Sequence, residues 1–87
     1  MGMKILYLTL YRKWFDMIAR GEKIYEFRSK TPYWNKRLGN KEYNEIWFTN
    51  GYGKKRPFMR VEYKGLVTDN PDTWIICLGK VLEVKNV

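Results

Sequence analysis

The sequence predicts an α+β domain: a small mixed sheet of about five strands, curled towards a barrel, with one main amphipathic helix over an open end and a short second helical turn. Two observations lead to this fold class. The hydrophobic period is that of strands along most of the chain but becomes helical after the first strand. The chain has 87 residues, 45% hydrophobic and 17% aromatic, so we expect a single domain, residues 1–87, with an aromatic-rich core.

The first strand and the main helix are predicted at the start of the chain. In residues 4–10 both alternating sets of side chains are largely apolar, so this strand is expected to be buried on both faces. Helical spacing follows in Tyr11, Trp14, Phe15 and Ile18, with polar side chains opposite. Gly21 comes where a helix commonly ends in a left-handed residue.

The second strand is predicted at residues 24–28 and leads into a basic excursion over residues 29–43. Tyr25 and Phe27 are assigned to the core, because Glu26 and Arg28 share the opposite face. Within the excursion, Thr31-Pro32 has the pattern of an N-cap followed by the first residue of a brief helix that ends near Gly39.

Three strands complete the predicted sheet. Residues 45–49 form the third, with Trp47 on one face and Ile46 and Phe48 on the other. The fourth begins at Phe58 and has one apolar and one charged face, until Gly65 breaks the alternation. Residues 73–84 form a long fifth strand, in which Gly79 is expected to mark a bulge or a bend.

Composition limits the chemistry available to the protein. The chain has no histidine and one cysteine, which argues against an imidazole or zinc site and against a Ser-His or Cys-His catalytic pair. We therefore expect no metal and no cofactor. Cys77 lies in an apolar run and is interpreted as a small buried hydrophobic residue. Without a signal-peptide pattern or a membrane-spanning stretch, a cytoplasmic location is expected.

The net charge of +8 is concentrated in the middle of the chain. Residues 20–64 contain twelve Lys or Arg and five acidic residues, whereas residues 65–87 contain two and three. Such a distribution attracts polyanions, so nucleic acid or a nucleotide is the predicted partner. A basic surface that serves solubility alone is the other explanation.

The most informative motif is Gly-x-Lys-x-x-Glu-x-Arg at residues 21–28. Glu26 and Arg28 are two residues apart on a strand, so they project from one face about 6.6 Å apart. Lys23 lies in the turn that enters the strand. The three side chains are therefore predicted to line one cleft. Alternatively, Arg28 and Glu26 form an ion pair that caps one end of the barrel, while Lys23 points into solvent.

This motif, after a helix that carries a Trp, resembles the signature of the ASCH domain family in the PUA-like superfamily. Further segments resemble short stand-alone ASCH proteins of phages and prophages: Tyr7-Leu8-Thr9-Leu10, Pro32-Tyr33-Trp34 with Arg37-Leu38, Phe48-x-Asn50-Gly51-Tyr52 and Leu78-Gly79-Lys80-Val81-Leu82. The resemblance implies a PUA-like β-barrel whose cleft is lined by the motif. It also implies binding of RNA or of a modified base.

The resemblance leaves an enzymatic alternative open. Some ASCH members hydrolyse N4-acetylcytidine with the motif Lys, but they have a Thr where this chain has Glu26. They also use a Glu on a longer insertion than residues 68–73 allow. Others are described as ribonucleases. As an enzyme, this chain would use Lys23 as base and Glu26 as proton relay, and Glu62 would serve only if the barrel brings it opposite Lys23.

Basic and aromatic residues outside the motif complete the predicted binding site. Exposed aromatic rings stack on bases, and cations contact phosphates. The candidates are Trp34, Arg37, Asn50, Tyr52, Lys54, Lys55 and Arg56. The expected ligand is RNA, a nucleotide or a nucleoside, and no membrane contact is expected. An interaction protein that inhibits a host enzyme is a third hypothesis, and the oligomeric state is open.

Overall fold

The computed structural model of the protein describes residues 2–51 and 55–86. The elements follow the predicted order: β1 (Ile5–Thr9), α1 (Arg12–Ala19), β2 (Tyr25–Ser29), α2 (Pro32–Leu38), β3 (Glu45–Thr49), β4 (Phe58–Val67) and β5 (Thr73–Lys85). All strands belong to one curled, half-barrel sheet of order β1-β3-β4-β5-β2. Only the β1–β3 pairing is parallel among these strands. The α+β class and the barrel-like curl are confirmed.

The hydrophobic core fills the concave side of the sheet. Strand alternation supplies most of it, while α1 adds Phe15 and Ile18 and α2 adds Leu38. The buried strand residues are Leu6, Leu8, Ile46, Phe48, Met59, Val61, Ile76 and Leu78. No helix in the described part of the chain is long and apolar enough to cross a membrane.

The prediction that β1 is buried on both faces is wrong. Leu6 and Leu8 are buried, but Tyr7 is 58% exposed and Thr9 is exposed. Both helices pack on the concave side, so the convex face of β1 remains open to solvent. The helical prediction is also wrong for Tyr11, which precedes α1 and is 82% exposed.

The assignment of Tyr25 and Phe27 to the core is likewise wrong. Tyr25 is 44% and Phe27 is 53% exposed, whereas Glu26 is only 6% exposed. The parity is as predicted, but the charged face of β2 is the concave one, because Glu26 and Arg28 satisfy each other there. Cys77, opposite Tyr25 in the ladder, is half-buried rather than buried.

The predicted caps and bends are present. The Thr31 hydroxyl accepts from the Trp34 amide at 3.3 Å, and Pro32 is the first residue of α2. Gly21 has φ of +77°, as a left-handed helix end requires. In the β4–β5 ladder Val61 pairs with Val81 but Tyr63 pairs with Leu78, which leaves an extra residue beside Gly79. This bulge bends the sheet towards closure.

On the convex face, the carboxylate of Glu45 forms an ion pair that makes the stability of the fold depend on pH. Arg60 donates to both oxygens of Glu45 at 2.9 and 3.0 Å, and the Trp47 indole donates at 2.9 Å. These bonds, first those from Arg60, lower the pKa of Glu45. A lowered folded pKa stabilises the fold above the ordinary glutamate value of about 4.3, and this contribution disappears as pH falls through the folded value.

We therefore expect the thermal midpoint to fall on acidification below about pH 4.3. The Glu45→Gln variant should have a lower midpoint at pH 7 and a smaller further loss in acid. The exposed Glu42 provides the control, since Glu42→Gln should follow the wild-type profile. Thermal unfolding followed by circular dichroism from pH 7 to pH 2 measures this. Parallel profiles for wild type and Glu45→Gln would contradict it.

Candidate functional site

A cleft of about 790 Å³ opens at one end of the curled sheet. It lies where the end of β1, the start of α1, β2, the start of α2 and the turn after β3 converge. The lining residues are Thr9, Leu10, Tyr11, Trp14, Glu26, Phe27, Arg28, Ser29, Thr31, Trp34, Asn50 and Gly51. Its volume lies in the range of small-molecule sites in proteins.

Two charged residues of the motif, Glu26 and Arg28, line this cleft, whereas Lys23 contacts Glu26 from outside the lining. Arg28 Nη2 donates to Glu26 Oε2 at 2.6 Å and to the Thr9 carbonyl at 3.1 Å. On the other side of the carboxylate, Lys23 Nζ lies 3.6 Å from Glu26 Oε1. Lys23 reaches this position because the turn at Gly21 returns the chain to α1, where the Lys23 amide donates to the Met17 carbonyl.

The electrostatics of this group favour an anionic or carbonyl-bearing ligand. Glu26 is buried between two cations, so Lys23, Glu26 and Arg28 together carry one net positive charge. The Nε atom of Arg28 is buried and has no hydrogen-bond partner in the described structure. A partly desolvated cation interacts more strongly with an anion than a cation in water does. The group can therefore donate to ligand oxygens, while Glu26 can accept from ligand N–H groups.

An aromatic wall faces the charged group. The Trp34 ring lines the cleft, and its centre lies 4.9 Å from the Arg28 guanidinium carbon. Arg37 approaches the same ring at 5.2 Å but does not line the cleft. Arg37 instead donates to the Tyr33 hydroxyl at 2.9 Å and to the Tyr7 carbonyl at 3.0 Å. It thereby fixes α2, and with it Trp34, against β1.

The remaining predicted site residues are scattered. Asn50 lines the cleft, but its side chain donates to the Leu10 carbonyl at 2.8 Å and so anchors the turn. Tyr52 and Lys54 lie outside the described residues. Lys55 is exposed away from the cleft lining, and Arg56 borders a different, smaller cavity.

The conditional role for Glu62 is not supported by its position. Its Oε1 accepts from the Lys80 amide at 2.9 Å and lies 3.9 Å from Lys64 Nζ. Glu62 does not line the cleft, because it alternates with the buried Val61 and so projects from the convex face. The fold therefore does not bring it opposite Lys23.

Eight of the twelve lining residues were not among the predicted site residues, and two of these eight, Thr9 and Trp14, contact the charged group. The Thr9 carbonyl receives Arg28, a contact between residues 19 positions apart that no local pattern reveals. Trp14 was assigned only to the apolar helix face, yet it lines the cleft and its ring centre is 5.5 Å from Lys23 Nζ. The sequence does contain a signal that could have identified Trp14, because the motif residue Lys23 follows shortly after the end of α1, the helix that carries Trp14.

Within residues 2–51 and 55–86, no group of three or more His, Cys, Asp or Glu side chains is placed to hold a metal ion. Comparisons of the chain with protein-family models, with curated proteins and with solved structures found no match.

Proposed function

We propose that the protein is an ASCH-type, PUA-like domain that binds RNA or a nucleotide and holds a nucleobase in the cleft. The observation that carries this proposal is the buried Glu26 carboxylate, held between Lys23 and Arg28 beside the Trp34 ring. The motif spacing and the curled sheet support the ASCH assignment.

The chemistry of the cleft matches the edge of a nucleobase. Such an edge presents amine or ring N–H donors next to carbonyl acceptors. Glu26 accepts from the donors, and Arg28 donates to a carbonyl or phosphate oxygen, while Lys23 adds positive charge behind Glu26. Trp34 offers a flat apolar surface on which a base stacks. Binding requires no further residue.

The position of Lys23 favours binding over hydrolysis. A general base needs a neutral amine, whereas Lys23 is the cationic partner of Glu26 at 3.6 Å. Glu62 is on the convex face, and the connection between β4 and β5 spans only residues 68–72. The hydrolase alternative therefore lacks an evident second catalytic carboxylate at the cleft.

We expect Lys23→Ala to weaken nucleotide binding by about tenfold, or ~1.4 kcal/mol, because it removes one of the two cations that hold Glu26 and lowers the positive charge beside the cleft. The ligand is first chosen by thermal shift from nucleosides, modified nucleosides, monophosphates and short RNAs. Affinity is then measured by calorimetry, or by anisotropy for labelled RNA. Binding to RNA should weaken steeply with added salt because neutralised phosphates release counterions.

The matched control is Lys64→Ala. It removes the same charge from an exposed position on the convex face, so it should leave nucleotide affinity almost unchanged. Equal weakening by both variants would contradict a site in the cleft. Turnover of N4-acetylcytidine by wild type that is abolished in Lys23→Ala would establish the hydrolase instead.

A further inference from the structure

A second, smaller cavity of about 190 Å³ lies next to the cleft, and we call it the outer notch. Its walls come from β1, β3 and the segment before β4. Thr9 and Gly51 border both cavities, so the notch and the cleft are neighbours that share these two residues. The other residues of the notch are Tyr7, Leu8, Trp47, Thr49 and Arg56.

The notch is walled by an aromatic ladder that runs across three strands. Tyr7 and Trp47 meet edge to face with ring centres 5.7 Å apart, and Trp47 meets Phe58 in the same way at 5.4 Å. The outermost ring, Tyr7, is 58% exposed even though it contacts the half-buried Trp47. Its exposed surface is therefore available to a flat ligand.

The charge around the notch is positive. Arg56 borders it, is exposed and has no ion-pair partner among the described residues. Lys55 is exposed beside it in the sequence, and none of the residues that line the notch is acidic. Exposed aromatic rings next to cations form the surface on which single-stranded nucleic acids stack.

We propose that the outer notch holds a second nucleobase, so that the ligand is a single-stranded oligonucleotide whose neighbouring base occupies the cleft. This inference rests on the proposed nucleotide function. The notch has room for a planar ring but not for a helix of about 10 Å diameter. Because the two cavities share Thr9 and Gly51, adjacent nucleotides of one strand suffice to reach both. Arg56 then lies where it contacts the connecting phosphate.

The test compares a fluorescein-labelled RNA tetranucleotide of mixed sequence with the four nucleoside monophosphates. Tyr7→Ala should weaken tetranucleotide binding by about tenfold, as loss of one stacked base does, and should leave monophosphate binding unchanged. Tyr25→Ala, which removes another exposed tyrosine of the convex face, should change neither. Tyr7→Phe keeps the ring and should bind the tetranucleotide as wild type does.

The outcomes separate this inference from the proposed function. If Tyr7→Ala lowers the tetranucleotide affinity no more than Tyr25→Ala does, the notch does not hold a second base. The proposed function of the cleft is still supported in that case if monophosphate binding depends on Lys23. If wild type binds neither probe, both proposals are wrong. If Tyr7→Ala does not fold, as shown by the loss of its thermal transition, Arg56→Gln tests the inference instead. This variant should bind the tetranucleotide more weakly than wild type and the monophosphates equally well, and any other result would overturn the inference.

Discussion

Replacing Phe48 with alanine is expected to lower the free energy of unfolding by about 3–5 kcal/mol. Phe48 has no exposed surface and lies on β3, between β1 and β4 in the middle of the core. A chain of this length has a total stability on the order of 4–13 kcal/mol. The variant should therefore lose a large share of its stability. Urea denaturation followed by circular dichroism measures the change.

Phe27→Ala provides the matched control. It makes the same chemical change on β2, where the ring is 53% exposed at the border of the cleft, so it should cost less than about 1 kcal/mol. The sequence pattern alone assigned Phe27 to the core. A loss as large as that of Phe48→Ala would show that this interpretation was right and that the charged face of β2 is the outer one.

Replacing Glu26 with glutamine is expected to reduce the ability of the cleft to distinguish between nucleobases. The substitution keeps the shape of the side chain but leaves Lys23 and Arg28 without their carboxylate, and the net charge of the group rises by one. Affinity for polyanions should increase, and the salt dependence should steepen. Discrimination between bases should fall about tenfold, because one of the two acceptor oxygens that face base N–H groups becomes an NH2 donor. The four monophosphates, titrated at several salt concentrations, provide both readouts.

Glu22→Gln is the control for this change. Glu22 lies in the same turn but is exposed and pairs with Arg20 at 2.8 Å, away from the cleft lining. It should alter neither base discrimination nor salt dependence by a comparable amount. If Glu26→Gln leaves discrimination intact, Glu26 serves only to hold Arg28, and the ion pair is a cap on the end of the half-barrel.

Element positions could be predicted because their signals are local. The switch from strand to helical period marks α1, and Thr31 and Gly21 mark helix ends through bonds and dihedral angles within a few residues. The bounds of β3 at residues 45–49 were predicted correctly for the same reason. Local patterns also indicate which residues share a face, since the alternation of a strand is fixed by its backbone.

Which face is buried is a different question, and here β1 and β2 were wrongly assigned. Both are edge strands, and only the path of the whole chain decides which side the helices cover. On β2 the hydrophobicity ranking failed because the Arg28–Glu26 pair makes a charged face tolerable on the concave side.

The candidate site was predictable to the same degree. Spacing was enough to bring Lys23, Glu26 and Arg28 together, because all three lie within six residues. Contacts with Thr9 and the placement of Glu62 on the convex face depend on how distant strands meet. Arg37 shows a further limit: its charge suggested ligand contact, whereas it holds α2 against the Tyr7 carbonyl.

The bond from Arg28 to the Thr9 carbonyl joins the first and last strands in sheet order. This hydrogen bond bridges the gap between the two edges of the half-barrel, and the cleft lies in that gap. A ligand oxygen that binds the Arg28 guanidinium would compete directly with the Thr9 carbonyl. We therefore expect ligand binding in the cleft to be coupled to the separation of these two edge strands.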